Sequence, residues 1–198
     1  MRTLLIALFI ALLTTGCNAP APPATPPAYS QPPDVAASGF VTIVLEETIN
    51  MSIPQLRAFL TERPLTDFLE ATETISPPAS AEILKGAWPT AGAVRRLQLE
   101  DGHYVIERIL ENRPDFFQYQ IWVFTNSAGR GVEQIIGEQR FIPITETETK
   151  FQWSYNVKPK SAFTKIFVKR QKPELRAYLA TASRSMAAAA NASITDDE

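Results

Sequence analysis

Residues 149–159 read TKFQWSYNVKP, and apolar and polar side chains alternate along this stretch without interruption from Lys150 to Lys158. Successive side chains of a β-strand point to opposite faces, so the alternation predicts a strand with one buried and one solvated face. The buried face is the one that carries Phe151, Trp153, Tyr155 and Val157. A sheet made of such strands needs another element to cover its apolar side.

Further segments upstream predict strands of the same sheet, because they are rich in β-branched and aromatic residues or alternate in polarity. Asp101-Gly102 predicts a two-residue hairpin turn, since both residue types tolerate positive φ. Trp122 is an exception to the alternation of its strand. The predicted strands are Phe40–Thr48, Val94–Glu100, Tyr104–Leu110, Tyr119–Val123 and Ile135–Phe141.

Helical patterns follow the first predicted strand and the last one. Ser52-Ile53-Pro54 predicts a helix start, and a second short helix follows Pro64. After Pro159 the apolar spacing becomes helical again, with Phe163, Ile166 and Phe167 on one face. Pro173 is expected to kink or divide this long helix, because proline lacks an N–H and clashes with the preceding turn. This order of elements predicts an α+β protein.

The first residues predict an export signal. Leu4–Leu13 is an unbroken apolar run of ten residues, about 15 Å as a helix and too short to cross a membrane. The chain's one cysteine follows in Thr14-Thr15-Gly16-Cys17, which resembles a bacterial lipobox and implies a lipidated Cys17. An ordinary signal peptide cleaved near Ala19 or Ala21 is the alternative. Asn18 stands where an aspartate would suggest inner-membrane retention, so we expect an outer-membrane anchor facing the periplasm.

Residues 18–33 contain seven of the chain's 16 prolines and predict an extended tether of polyproline II character. The predicted organisation is a signal peptide at 1–16 and a lipidated cysteine with its tether at 17–38. One folded domain is expected at 39–186, followed by a flexible acidic tail at 187–198.

Composition excludes several classes of function. The chain has 198 residues, 45% of them hydrophobic, and a net charge of −2, so nucleic acid is not an expected partner. One cysteine excludes an internal disulfide, one histidine argues against a His-ligated metal site, and no phosphate-binding glycine loop is present. We therefore expect neither a metal nor a cofactor.

Charge is distributed unevenly along the chain. Residues 34–157 carry 10 basic and 17 acidic side chains, whereas residues 158–184 carry eight basic ones and only Glu174 as an acid. The solvated face of an amphipathic helix accounts for this basic segment. Contact with anionic lipid head groups near an anchored membrane is the alternative.

The order of elements resembles the helix-grip fold of the START/Bet v 1-like (SRPBCC) superfamily, in particular its polyketide cyclase-like branch. In that fold a curved antiparallel sheet wraps around a long C-terminal helix, with two short helices after the first strand. The resemblance covers nearly all of residues 39–186. The segments that carry it are Val41–Glu47, GAVRRLQLEDGHYVIERILE at 92–111, Tyr119–Phe124 and TKFQWSYNVKP with the helix behind it.

The resemblance implies a cavity between sheet and helix that holds a hydrophobic small molecule or lipid. The alternative for each candidate residue is ordinary core packing. Glu107 and Arg108 lie on opposite faces of one strand, and whichever points inward is a candidate for orienting a ligand; a solvated rim position is the favoured alternative. His103 is a conceivable general base, but a surface position beside the turn is favoured. The candidate ligand-binding residues are Tyr104, Ile106, Arg108, Tyr119, Ile121, Phe151, Trp153, Tyr155, Phe163, Ile166 and Phe167.

The favoured function is a membrane-anchored periplasmic protein that binds a small hydrophobic ligand. A polyketide cyclase or dehydratase-like enzyme and an interaction module without a ligand are the alternatives. An enzyme is less favoured, and no catalytic residue is assigned.

Overall fold

The computed structural model describes residues 19–195, so the predicted signal peptide and Cys17 lie outside the described residues. Seven strands and two α-helices make up the fold, with short 3-10 helices at Leu65–Phe68 and Ser127–Arg130. The strands are β1 Val41–Ile49, β2 Pro78–Lys85, β3 Val94–Leu99, β4 Tyr104–Arg113, β5 Phe116–Trp122, β6 Val132–Pro143 and β7 Thr149–Pro159; the helices are α1 Ile53–Glu62 and α2 Ala162–Thr195.

The strands form one antiparallel sheet in the order β1-β7-β6-β5-β4-β3-β2. The TKFQWSYNVKP stretch is β7 and pairs with β1 on one side and β6 on the other. Strand β2 is absent from the sequence prediction. It is an edge strand whose side chains are almost all exposed, so the apolar alternation that signals a strand is missing there.

The β3–β4 hairpin has a different register from the predicted one. Its loop has three residues, because Leu99 N–H donates to the His103 carbonyl and Gly102 adopts a φ of 81°. Asp101 Oδ1 accepts a hydrogen bond from His103 N–H at 3.0 Å, which holds the turn. A shift of one residue moves every side chain to another partner, and the observed register sets Arg95 opposite Glu107.

Helix α1 begins and ends as the sequence predicts. Ser52 and Gln55 form a reciprocal capping box at its N-terminus, Pro54 lies in the first turn, and the helix ends at Glu62, two residues before Pro64. Its one buried side chain, Leu56, packs into the core on the inner face of the sheet.

Helix α2 is one continuous helix with Pro173 inside it, so the predicted division does not occur. It also runs past the predicted end of the domain, and the expected flexible tail is wrong for residues 187–195. Ala187 and Ala190 are buried in the core, and Asn191 Oδ1 accepts a hydrogen bond from Asn50 N–H at 2.8 Å. The run of alanines, which reads as a fraying end in the sequence, instead lets the helix lie close to its neighbours.

Side chains on the inner face of the sheet, the one that α2 covers, form two apolar clusters. The closed cluster surrounds Phe141, Phe151 and Trp153 and includes α1 and the C-terminal half of α2. The open cluster consists of Val41, Leu97, Leu99, Val105, Tyr119, Ile121, Val132, Ile135, Val157 and Val168. Nine of these ten are 5–9% exposed, whereas ten of the fifteen members of the closed cluster are at most 3% exposed.

The proline-rich segment, residues 19–38, packs across the outer face of the sheet, so the prediction of a free tether is wrong. We call this segment the strap. From its N-terminal end it passes the β3–β4 hairpin, then β5 and β6, and finally reaches β7. Side chains of these strands bond to it at Pro20, Pro27, Ser30, Pro33, Asp34 and Ser38.

Chemical complementarity explains why the strap lies there. A proline-rich segment has few N–H donors and offers mainly carbonyl acceptors. The outer face supplies donors: Gln120 Nε2 to Pro33 O at 3.1 Å, Gln134 Nε2 to Asp34 O at 2.9 Å, and Lys158 Nζ to Ser38 O at 2.7 Å. Gln120 and Gln134 are completely buried and also bond to each other at 2.7 Å. The strap is therefore a layer of the domain.

Candidate ligand-binding site

The inner face of β5 and β7 carries five of the eleven predicted lining residues. Tyr119 and Ile121 belong to the open cluster, Phe151 and Trp153 belong to the closed cluster, and half-buried Tyr155 contacts both. The Trp153 ring lies edge-on to Tyr155 with centroids 6.0 Å apart. The candidate site is thus the open cluster and its boundary with the closed cluster, where these aromatic rings meet.

Tyr119 owes its position to a glycine on the neighbouring strand. Gly137 is its cross-strand partner, and a β-carbon built on Gly137 would lie 2.0 Å from Tyr119 Cζ and 2.4 Å from its hydroxyl oxygen. The phenol ring therefore lies directly across the glycine, in space that any other residue would fill. Its hydroxyl accepts a hydrogen bond from Trp153 Nε1 at 3.1 Å.

A buried ion pair lies beside these aromatic rings. Glu107 is 4% exposed on the inner face, and its Oε2 accepts a hydrogen bond from Arg95 Nε at 2.8 Å. The other side of the Arg95 guanidinium stacks on Trp88, with Cζ 3.8 Å from the ring centroid. Glu107, rather than Arg108, is therefore the charged residue of this strand that points inward.

The surroundings of the site favour the protonated forms of its acidic side chains. Burial raises the pKa of Glu107 above its ordinary value, and the Arg95 guanidinium offsets part of that rise. Burial also raises the pKa of Tyr119 and Tyr155, and the Glu107 carboxylate adds to both shifts. The tyrosine hydroxyls are consequently protonated and available as hydrogen-bond donors at neutral pH.

Two surface pockets lie against this interior. One, of about 230 Å³, lies between residues 70–72 and α2 and is lined by Tyr178, whose phenol influences the pKa of Tyr155. The other, of about 460 Å³, lies between α1 and the β4–β5 turn. There Arg57 lies over the Phe141 ring at 4.9 Å and bonds to Asn112, so its side chain separates that pocket from the inner face.

Tyr104, Ile106 and Arg108 lie on the outer face, so their predicted place in the cavity is wrong. Ile106 is fully buried against Trp122, and Arg108 Nε donates to Gln120 Oε1 at 2.7 Å beneath the strap. Strand β4 lacks a clear alternation because both of its faces are covered, one by the interior and one by the strap.

Phe163, Ile166 and Phe167 do not line the interior either, and their assignment as ligand contacts is also wrong. They are 68%, 65% and 49% exposed, on the side of α2 that faces away from the sheet. Val168 is the residue of this half-helix that enters the open cluster. The helical spacing of the three residues is real, but it marks a face of α2 that the sheet does not cover.

His103 is buried, although the sequence favours a surface position. Its Nε2 donates to the Pro20 carbonyl at 3.1 Å, and its Nδ1 lies 3.0 Å from Thr125 Oγ1. Both ring nitrogens are thus engaged by the strap and the end of β5. Within residues 19–195, no group of three His, Cys, Asp or Glu side chains is placed to hold a metal ion, and no helix is long and apolar enough to cross a membrane.

Sequence reasoning misses Arg95, Gly137 and Trp88 as members of the site. The hairpin register that pairs Arg95 with Glu107 depends on a loop of three rather than two residues, which Asp101-Gly102 does not determine. Gly137 is a single glycine inside a predicted strand, and such a glycine indicates a close approach by another group. That signal is present in the sequence, but it does not reveal the partner ring.

No protein-family model and no curated protein matches this chain. Solved structures do match it. They include Ara h 8.0201, with 19% identity and a TM-score of 0.50 over 75% of this chain and 98% of that one. Ginseng major latex-like protein 151 from Panax ginseng matches at 12% identity and a TM-score of 0.50, over 75% of this chain and 96% of that one.

Norcoclaurine synthase from Thalictrum flavum, in complex with dopamine and hydroxybenzaldehyde, matches at 16% identity and a TM-score of 0.50. The match covers 79% of this chain and 97% of that one. Identities this low establish the architecture alone. The seven-stranded curved antiparallel sheet closed by a long C-terminal helix is the helix-grip fold of the Bet v 1-like proteins.

Proposed function

We propose that this protein binds a small hydrophobic molecule, bearing one hydrogen-bonding group, between the open cluster and the N-terminal half of α2. The observation that carries the proposal is the composition of the open cluster, whose residues are less completely enclosed than those of the closed cluster and lie beside a buried ion pair. Apolar walls with a few placed polar groups are the usual composition of a small-molecule site.

Apolar side chains and one tyrosine hydroxyl contribute differently to ligand recognition. Burying apolar ligand surface against Leu97, Val105 and Ile121 contributes about 25 cal/mol per Å². The Tyr155 hydroxyl forms no hydrogen bond with another residue of the described chain, and it is the donor that a ligand oxygen would meet. The complex of norcoclaurine synthase with dopamine and hydroxybenzaldehyde supports small aromatic molecules as a first class to test.

The proposal extends to location. We infer that residues 1–16 direct export and that Cys17 is lipidated, which anchors the domain at the outer membrane facing the periplasm. The support is the apolar run Leu4–Leu13, which is too short to span, followed by the chain's one cysteine. Mass spectrometry of the protein extracted from bacterial membranes tests this: a diacyl or triacyl adduct on Cys17 is expected, and a free N-terminus near Ala19 or Ala21 would contradict it.

The binding test is native mass spectrometry of residues 17–198 with Cys17→Ser, which retains every described residue including the strap. A stoichiometric apolar adduct, released on denaturation, is the expected result. Val105→Trp fills the open cluster and should abolish the adduct while the protein stays folded. Val44→Trp, at an exposed position on β1, is the matched control and should retain it. An adduct that Val105→Trp leaves unchanged would contradict the proposed site.

A proton-transfer enzyme of the polyketide cyclase or dehydratase kind is the second candidate. The specific observation in its favour is Glu107, a carboxyl with a raised pKa that acts electrostatically on Tyr119 and Tyr155. A raised pKa brings a carboxyl closer to the pH at which general acid–base catalysis works best. Incubating the released ligand with the protein and with Glu107→Gln distinguishes the two: conversion by the parent alone supports an enzyme, and an unchanged ligand supports binding.

A further inference from the structure

An exposed apolar patch lies at the start of α2. Phe163 and Ile166 are the two most exposed large hydrophobic side chains in the described chain, and Phe167 is half exposed beside them. The Phe163 and Phe167 rings stack edge to face with centroids 5.1 Å apart. We call these three residues the α2 patch. Single exposed apolar residues are ordinary, but a contiguous aromatic patch marks an interaction surface.

The patch lies within a wholly basic segment. Between Pro159 and Pro173 the sequence contains five lysines and arginines and no acid: Lys160, Lys165, Lys169, Arg170 and Lys172. Lys165, Lys169 and Lys172 recur at helical spacing and form a stripe along one side of the patch, and Arg170 lies one turn beyond Phe167 and Ile166 on the patch side. Residues 34–157, by contrast, carry seven more acidic than basic side chains. The charge around the patch therefore complements an anionic surface.

The N-terminal end of the strap lies at the same end of the molecule as the α2 patch. Gly131, at the start of β6, lies against Thr164 and bonds to Lys160 N–H, while the sheet register sets β6, β5 and the β3–β4 hairpin side by side at this end. The Pro20 carbonyl is bound there by His103. Cys17 is three residues earlier in the chain, a reach of about 10 Å at most.

We infer that the α2 patch docks onto the surface of an anionic lipid bilayer, with Phe163, Ile166 and Phe167 in the interface and the lysine stripe on the head groups. The inference rests on the proposed lipidation of Cys17 for its orientation, since the anchor and the patch then meet one membrane. A basic helix face that carries Phe and Ile is the composition that binds in the interfacial plane. The open cluster, into which the same half-helix sends Val168, would then lie next to the bilayer.

The test is vesicle flotation of residues 17–198 with Cys17→Ser, so that binding is measured without the lipid anchor. Vesicles of phosphatidylcholine with and without phosphatidylglycerol are the probes. One variant combines Phe163→Ser with Phe167→Ser, and another combines Lys165→Glu with Lys169→Glu. Ile144→Ser and Lys85→Glu alter an exposed hydrophobic residue and an exposed lysine at the opposite end of the sheet and serve as controls.

We expect binding to the anionic vesicles alone. Each lysine near the surface is worth about fivefold in partitioning, so the double charge reversal should weaken binding by about 30-fold or more. The double serine variant should weaken it comparably, the controls should match the parent, and high salt should reduce binding. Equal binding by parent and patch variants, or no binding by the parent, would overturn the inference; a patch that served a protein partner instead would give the second result.

The same samples separate this inference from the proposed ligand. A patch variant that keeps its apolar adduct by native mass spectrometry but does not float supports the inference and leaves the ligand site intact. A parent that floats without any adduct supports the docking surface and contradicts the ligand site. A parent that keeps its adduct but does not float contradicts the docking surface and leaves the ligand site intact.

Discussion

The closed and open clusters share one sheet and one helix, yet they exclude water to different degrees. In the closed cluster, Ala182, Ala187 and Ala190 let the C-terminal half of α2 lie close against the sheet, so Phe151 and Met186 lose all contact with water. The N-terminal half of the same helix sends only Val168 and, in part, Leu175 into the open cluster. The inward side chains along one helix therefore enclose one half of the interior more tightly than the other.

The largest expected effect is the loss of a ring from the closed cluster. Phe151→Ala should lower the free energy of unfolding by about 3–5 kcal/mol, because the cavity left behind has no access to water. Leu97→Ala in the open cluster should cost about 2 kcal/mol, the low end of the range for a leucine, because this cluster excludes water less completely. Urea denaturation of both variants measures the difference, and equal losses would remove the distinction between the clusters.

A single methyl group on β6 should disturb the boundary between the clusters. Gly137→Ala puts a carbon where the Tyr119 ring lies, so the ring must move, at a cost of about 2–3 kcal/mol. Ligand uptake should fall with it, because the hydrogen bond between Tyr119 and Trp153 is lost. Adding Tyr119→Ala should remove most of the clash, and a double-mutant cycle measures this coupling; additive losses would show that the two residues do not interact.

Pro173 lies between the half of α2 over the open cluster and the half over the closed cluster. Pro173→Ala restores an N–H inside the helix and should raise the free energy of unfolding by about 2 kcal/mol. Thermal unfolding measures the change, and a destabilised variant would contradict this expectation.

The smallest effect is the pH dependence contributed by Glu107. Its raised pKa means that the folded protein holds this proton more tightly than the unfolded chain. That contribution is complete below the unfolded pKa of about 4.3 and is lost as pH rises through the folded pKa. Glu107→Gln keeps the neutral form at every pH, so the parent should lose stability relative to the variant as pH rises from about 4. Denaturation across this range should show that trend, and a gap of constant size would contradict it.

The parts of the fold that the sequence predicts are those in which one face of a helix or strand is exposed to solvent. TKFQWSYNVKP has a solvated face, so its alternation is visible in the sequence and β7 forms as expected. Ser52 and Gln55 likewise determine the start of α1 through contacts three residues apart. These signals depend on residues close together in the sequence, so they can be recognised without knowledge of the tertiary structure.

The parts that escape prediction depend on distant partners. Strand β4 is covered on both faces, so the sequence cannot say whether Glu107 or Arg108 points inward. Trp122 looks like a break in a pattern until the strap is known, because its indole N–H lies 3.3 Å from Ser30 Oγ, 92 residues away. Proline-rich composition favours extended backbone but gives no information about what the backbone lies against.

Strand order has a consequence for how this chain reaches its folded state. Strand β1 is an edge strand whose one neighbour is β7, and Lys158 must reach Ser38 across 120 positions before the strap is secured. The first strand and the C-terminal end of the strap therefore cannot form these contacts until residue 158 has been synthesised. Such distant pairings fold slowly. Completion of the sheet thus waits for one of the last strands to leave the ribosome, however early the β3–β4 hairpin and its strap contacts form.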